Sequence, residues 1–273
     1  MTLSSSRLTP GPRRPLSRVE RTTGLVAFHR VLLRRTWRGE AVSRFLTPVL
    51  FLAAMGVGVG GLVDRASGGV GGVPYLRFVV PGIVLASAMQ WAVNESMWPV
   101  LTLIKWNQMY AAMLAAPTKV ADVLRAHWLM ICVNIAWSAA VFIAVATAFG
   151  AVHSWWALLG IPIAVLTAMA FVTPLFWFAA ARQDEEGFTT VFRLVVTPLM
   201  LFSGTFFPIS QLPAWLQVLP WVTPLWHGTE LARSAFLGDP VADRWWLHLA
   251  IIAAWIVVGA WGARRAFQRR LVA

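Results

Sequence analysis

The run 56–61, Gly-Val-Gly-Val-Gly-Gly, contains a literal G-x-G-x-x-G, the spacing with which a strand-to-helix turn cradles a pyrophosphate. That chemistry also needs a strand before it, a βαβ unit around it and an acidic residue about 20 positions later. Asp64 follows too soon and the flanks are apolar. The glycines therefore read as helix-packing positions, with Gly56-x-x-x-Gly60 letting two membrane helices approach closely. A P-loop needs Gly-Lys, but the lysines, Lys105 and Lys119, follow Ile104 and Thr118. The histidines at 29, 127, 153, 227 and 248 form no metal-ligand spacing, and no serine sits in G-x-S-x-G. Cys132 is the single cysteine, so neither a disulfide nor a thiolate cluster can form within one chain. Asp184, Glu185 and Glu186 form the one carboxylate cluster, which reads as a solvated turn. No catalytic centre, metal site or cofactor site is expected in this chain.

Composition explains why. The chain is 58% hydrophobic and 12% charged, against roughly 25% charged in soluble domains. Helices that are apolar all round belong in a bilayer, and 16 tryptophans suit its headgroup boundaries. The net charge of +12 does not point to nucleic acid, because the basic residues are clumped at the two ends of the chain. Ten arginines lie in the first 44 residues, and Arg264, Arg265, Arg269 and Arg270 close the chain. The first 40 residues hold no apolar core segment of the kind a cleavable signal peptide needs.

Residues 1–16, rich in Ser, Pro and Arg, read as a disordered basic N-terminus. In 17–40, at ~100° per residue, Leu25, Phe28, Leu32 and Trp37 share one half of a helical wheel. Arg30, Arg34 and Arg38 share the other, which predicts an amphipathic helix lying on an anionic membrane surface. Spanning helices are expected at 45–63, 78–98, 128–149, 155–181, 188–207 and 245–263. The expected fold class is thus all-α integral membrane, with a six-helix domain over 41–267 and a cytoplasmic tail at 268–273. If the N-terminus is cytoplasmic, 19 of the 23 cationic residues fall on that side. The positive-inside rule then places both termini inside, in the cytoplasmic membrane.

Two connecting stretches carry helical patterning without the length to span. In 105–122, Trp106, Met109, Tyr110, Met113 and Leu114 recur at helical spacing until Pro117 breaks the pattern, and Thr118 can cap the next helix, with Asp122 in its first turn. Tyr110 and Met113 are expected to project together from an apolar face with no obvious cover in the chain, toward a partner protein, against the plainer reading that this face lies back on the membrane or on the bundle. The outer stretch 208–244 reads as two short helices, interfacial or re-entrant, with Thr223 as N-cap, Pro224 first and Gly238 just past the end of the second.

Polar residues inside spans are costly in lipid and are functional candidates for that reason. Asn94 and Glu95 in the second span and Asn134 in the third are the candidate translocation path, although a carboxylate paired for stability and an interhelical amide are the plain alternatives. His227, Glu230 and Arg233 are the candidate outer gate, against the simpler reading of Glu230 and Arg233 as a local ion pair.

The run 109–124, MYAAMLAAPTKVADVL, resembles the coupling segment of ABC-2 type export permeases. The run 198–238, PLMLFSGTFFPISQLPAWLQVLPWVTPLWHGTELARSAFLG, resembles the fifth helix and re-entrant region of the same family. Its ending, Gly238-Asp239-Pro240-Val241, is similar to permeases of nodulation lipo-chitooligosaccharide export and daunorubicin-type drug efflux. The resemblance covers about 17–270, and the Arg/Pro-rich extension before it has no counterpart in the family pattern. It implies a homodimer of this chain bound to two copies of a separate ABC ATPase, which would bind ATP and Mg. It also implies export of an amphipathic or lipid-linked substrate such as a glycolipid, a lipooligosaccharide or a hydrophobic drug. An ATP-independent transporter or channel should carry charge deep in several spans, where this chain has essentially Glu95. A membrane-bound lipid-modifying enzyme should carry clustered His, Asp or Glu at an interface.

Overall fold

The computed structural model describes residues 44–115, 118–239 and 241–271, together with Thr23, Gly24, Gly39 and Val42. The expected amphipathic helix at 17–40, with Arg30, Arg34 and Arg38, falls almost wholly outside the described residues, and Pro117 lies outside them too. Among the described residues the only β pairing is one bridge between Val70 and Val73. The helices are α1 (Arg44–Ser67), α2 (Tyr75–Ser96), α3 (Trp98–Lys105), α4 (Met109–Leu114), α5 (Val120–Ala148) and α6 (Gly160–Ala181). There follow α7 over 186–202, α8 (Val218–Val222), α9 (Pro224–Leu237) and α10 (Trp245–Leu271).

Among the described residues, five stretches are long and apolar enough to cross a membrane: α1, α2 with α3 (Tyr75–Lys105), α5, α6 with its leading 3-10 turn (Trp155–Ala181), and α10. The fifth expected span falls short. It is built of Glu186–Val191, a π turn Phe192–Val196 and Thr197–Phe202, and gives way to non-helical backbone at Ser203. At 1.5 Å per residue these segments rise roughly 25 Å, somewhat less than a hydrocarbon core of ~30 Å.

The last two long helices run parallel. A Cβ at Gly259 of α10 would come 2.5 Å from the nitrogen of Pro174, and one at Gly262 would come 2.3 Å from the indole of Trp177. Further along both, Arg270 Nη1 donates to the carbonyl of Ala180 at 2.9 Å. Contact positions advance together, so the chain between α6 and α10 has to return to the far end. α7 makes that return. Phe188 near its start packs edge-on to Trp98, with ring centroids 5.4 Å apart. Beyond its end, Gly204 accepts 2.7 Å from Arg233, whose Nε also reaches the carbonyl of Phe78 at 3.4 Å. Phe78 lies in the first turn of α2, and Trp98 lies past its far end, at the start of α3.

The two ends of the bundle are tied separately. At one, Lys105 Nζ donates to the carbonyl of Gln183 at 3.2 Å. At the other, Arg77 Nη2 lies 2.7 Å from His153 Nε2.

Several boundaries differ from expectation. The second span is a helix pair broken at Met97 (φ −103°, ψ −82°), where Pro99 cannot donate to the carbonyl four residues back. α5 begins at Val120, close to the helix start read at Thr118 with Asp122 in its first turn and ahead of the span expected from 128, and α10 continues past 263 to Leu271, so the closing arginines are helical. Thr118 does not cap α5. Its hydroxyl closes back on the carbonyl of Met113 at 2.6 Å, and the cap is Lys119, whose N–H donates to Asp122 Oδ2 at 3.2 Å. Thr223, Pro224 and Gly238 bound α9 where expected, with Gly238 left-handed at φ 98°. The G-x-G-x-x-G run is helical, with 54–60 wound as a π segment. Gly56 there leaves room for Leu76, which a Cβ would approach to 3.3 Å.

Candidate functional site

A cavity of about 260 Å³ opens between α1, α2, α5 and the end of α7. Its walls are mostly apolar, including Phe51, Ile83 and Phe142, and Phe51 faces Phe206 with centroids 6.4 Å apart. Polarity enters through Ser87, Gln90, Ser138 and Arg44. Arg44, only 4% exposed, holds its guanidinium 4.4 Å over the ring of Trp91. It also donates to the carbonyl of Asn134 at 2.6 Å. Gln90 Nε2 points to Met200 Sδ at 3.3 Å. A guanidinium among amide and hydroxyl groups can hold an anionic or hydroxylated headgroup, while the aromatic and aliphatic wall accepts an apolar chain. Buried charge at membrane depth marks a functional position by default.

The candidate path residues are only partly gathered here. Asn134 borders the site through its backbone carbonyl. Glu95 lies one turn beyond Trp91 and is half-buried, while Asn94 is exposed; neither lines the cavity. Arg44 is the residue that sequence reasoning missed. Hydropathy counts it as a flanking charge, and its one signal is its position directly before an apolar run.

At the end of the bundle where Arg77 meets His153, Glu230 and Arg233 form an ion pair of 2.6 Å, the plainer of their two sequence readings. Arg233 does more than pair: it bridges Gly204 and Phe78 and stacks 4.1 Å from the Phe78 ring. Its burial pulls the guanidinium below the ordinary arginine range, an effect that Glu230 opposes. His227 is buried against His248, with Nδ1 atoms 2.7 Å apart, and its Nε2 lies 2.9 Å from the carbonyl of Trp221. Burial lowers the His227 pKa, with the Trp221 carbonyl opposing.

The coupling segment requires a correction. Tyr110 is fully buried and Met113 nearly so, facing the bundle instead of a partner. Tyr110 Oη lies 2.6 Å from His127 Nδ1 on α5, and its ring meets Phe267 of α10 edge-on at 5.4 Å. The expectation failed because α5 and α10 both extend beyond their apolar stretches and cover this face. Burial pushes the Tyr110 phenol well above its usual range, so it stays protonated. The exposed face carries Trp106, Ala111, Ala112 and Ala115, with Met109 and Leu114 at its margins.

A bundle of long apolar helices enclosing an amphipathic cavity, with a short helix held at one end, defines a multi-pass membrane transport component. The chain belongs to the ABC-2 type transporter family, whose pattern matches residues 24–237. It is 30% identical over 241 residues to Nodulation protein J of Rhizobium leguminosarum bv. trifolii, covering 86% of this chain and 90% of that one. Nodulation protein J of Rhizobium meliloti (strain 1021) is 27% identical over 247 residues, covering 86% and 90%. A shorter stretch of 66 residues is 33% identical to the probable multidrug ABC transporter permease YbhR of Escherichia coli (strain K12), covering 24% of this chain and 18% of that one.

Proposed function

We propose that this chain is the membrane-spanning subunit of an ATP-driven exporter of amphipathic or lipid-linked molecules, such as a glycolipid, a lipooligosaccharide or a hydrophobic drug. Two copies of the chain pair with two copies of a separate ABC ATPase, which binds ATP and Mg. The observation that carries the reading is the cavity, which sets the buried Arg44 guanidinium beside an apolar wall. Such a site suits a molecule with a polar head and an apolar body.

The parallel packing of α6 and α10, with α7 as the return, supports six crossings. The basic ends at Lys105, Arg182 and Arg264–Arg270 favour the cytoplasmic side of the cytoplasmic membrane, and both termini with them. The 208–237 stretch, anchored by Arg233 to Phe78 and Gly204, dips back into the outer half as a re-entrant lid. The face of α4 bearing Ala111 and Ala112, with Trp106 just before it, meets the ATPase, and its motion reaches the spans through Tyr110.

The test is reconstitution of the chain with its ATPase in vesicles, followed by ATP-dependent transfer of a fluorescent lipooligosaccharide. Arg44→Gln should lower transfer by roughly 10-fold or more, as expected for a lost charge-assisted contact. Undiminished transfer by that variant would remove the cavity from the path.

A further inference from the structure

A second groove, about 510 Å³, lies where the ends of α6 and α10 meet, away from the cavity. Trp177 and Trp261 wall it, 40% and 54% exposed. Arg182, Arg265, Arg269 and Arg270 line it. Gly262 opens it: a Cβ there would strike the Trp177 indole, so the ring can lie against bare α10 backbone.

The arginines have separate tasks. Arg270 is spent on structure, donating to the carbonyls of Ala179, Ala180 and Arg182 at the C-terminal end of α6. Arg265 lies 3.9 Å over the Trp261 ring and Arg182 lies 4.9 Å over Phe178, so both are pre-placed by stacking. Among the described residues none of these four guanidiniums has a carboxylate partner. The acidic turn at Asp184, Glu185 and Glu186 is exposed and does not line the groove.

We propose that this groove binds the phosphate headgroup of an anionic diacyl phospholipid, with the acyl chains passing along Trp177 and Trp261. Exposed tryptophans at the end of a membrane helix belong to the hydrocarbon–headgroup boundary, and basic pockets between helix ends there recognise anionic headgroups. The chain's own N-terminal stretch ahead of α1 is a poor occupant, since its nine arginines would meet four more. The partner ATPase is disfavoured as well: Arg264 and Gln268 line a separate groove with Leu114 and Lys119, and only Arg269 borders both, so α10 shows the coupling end a largely different face. The inference depends on the chain spanning a membrane, not on which side its termini lie.

The full-length chain, purified in detergent, is examined by native mass spectrometry with phosphatidylglycerol or with phosphatidylcholine of the same acyl composition. The expected result is retention of phosphatidylglycerol, unaffected by added inorganic phosphate. Joint substitution Arg182→Gln, Arg265→Gln and Arg269→Gln should weaken retention by roughly 100-fold, about fivefold for each cation near the lipid. The corresponding Arg→Lys triple variant keeps the charge and should retain the lipid, which separates a lost site from a damaged fold. Equal retention of both lipids overturns the proposal. So does displacement by phosphate alone, which would make this a plain anion site. A Gln variant that keeps its lipid but loses the co-purifying ATPase would make the groove a protein-docking surface and overturn it too.

Discussion

Tyr110 and His127 share a buried hydrogen bond of 2.6 Å that joins α4 to the start of α5. His127 in turn lies edge-on to Phe176 of α6 at 5.1 Å, and Tyr110 does the same to Phe267 of α10. One phenol therefore ties the short helix to three long ones. α4 is too short to hold its own geometry, because a helix of one or two turns is marginal in isolation. Its position comes from this contact.

The first prediction follows directly. A double-mutant cycle of Tyr110→Phe and His127→Ala should give an interaction energy of about 1–3 kcal/mol in thermal or denaturant unfolding. Tyr110→Phe should also uncouple ATP turnover from transport while the permease still assembles. Additive single effects would show that the bond carries neither load.

The proposed partner surface lies on the opposite side of α4. Ala111→Glu with Ala112→Glu places charge at exposed positions, so stability should stay within about 0.5 kcal/mol. Co-purification of the ATPase should fall sharply, as charge desolvated at a contact is costly. Unchanged association would move the docking site elsewhere.

How far the sequence reads into this fold depends on what hydropathy measures. It marks hydrocarbon, and the 155–181 span was legible because its helix ends where its apolar run ends. The Thr223–Pro224 start and Gly238 stop of α9 were legible because those residues act locally on the backbone. Helical extensions past the membrane are polar and leave no hydropathy trace. Extension of α10 to Leu271 is what brings Phe267 over Tyr110, and so the cover on α4 was invisible. Arg44 was hidden for the same reason: a charge beside an apolar run looks solvated until the neighbouring helices are placed.

Close packing of α6 on α10 should be intolerant of a single methyl group. Gly259→Ala would press Cβ against the Pro174 backbone, which cannot rotate away, and should destabilise by roughly 1–3 kcal/mol. Gly58→Ala has nothing within 4 Å and should be neutral or slightly stabilising in the monomer. Thermal midpoints in detergent compare the two. Equal effects would discount the α6–α10 contact.

The His227–His248 contact should make its end of the bundle acid-sensitive. His227 faces Glu230 and Arg233 on α9, Asp239, Asp243 and Arg244 in the following turn, and His248 on α10. Its folded pKa lies below the ordinary imidazole value, so the unfolded chain takes up its proton first as pH falls. The stability it contributes is full above the unfolded pKa, ~6.5, and is lost as pH falls through the lower, folded value. Hydrogen exchange at 218–237, corrected for its intrinsic slowing in acid, should lose protection as pH falls below about 6.5. His227→Gln keeps a donor toward Trp221 without the titration and should flatten that dependence. An unchanged pH profile in the variant would assign it to another group.

The last prediction concerns the crossing of α7. Five helices alone would leave α6 and α10 running in opposite senses, yet Gly259, Gly262 and Arg270 meet Pro174, Trp177 and Ala180 in order. Parallel packing requires the chain to return between them, and α7, despite its modest length, is the proposed sixth crossing that makes this return. Its π turn at 192–196 widens the helix and its end passes into the 203–205 backbone, so part of the crossing is made without regular helix. Such backbone is tolerated at membrane depth only when protein covers it, and Ser203, Gly204 and Thr205 are buried. On a Cys132→Ser background, single cysteines at the exposed positions Ser67 and Gln183 report the two sides. A membrane-impermeant thiol reagent added outside intact cells should label Ser67→Cys and spare Gln183→Cys. A cysteine at exposed Gln211, beyond α7, should label with Ser67→Cys. Labelling of Gln211→Cys only after the cells are opened would place both ends of α7 on one side and leave five crossings.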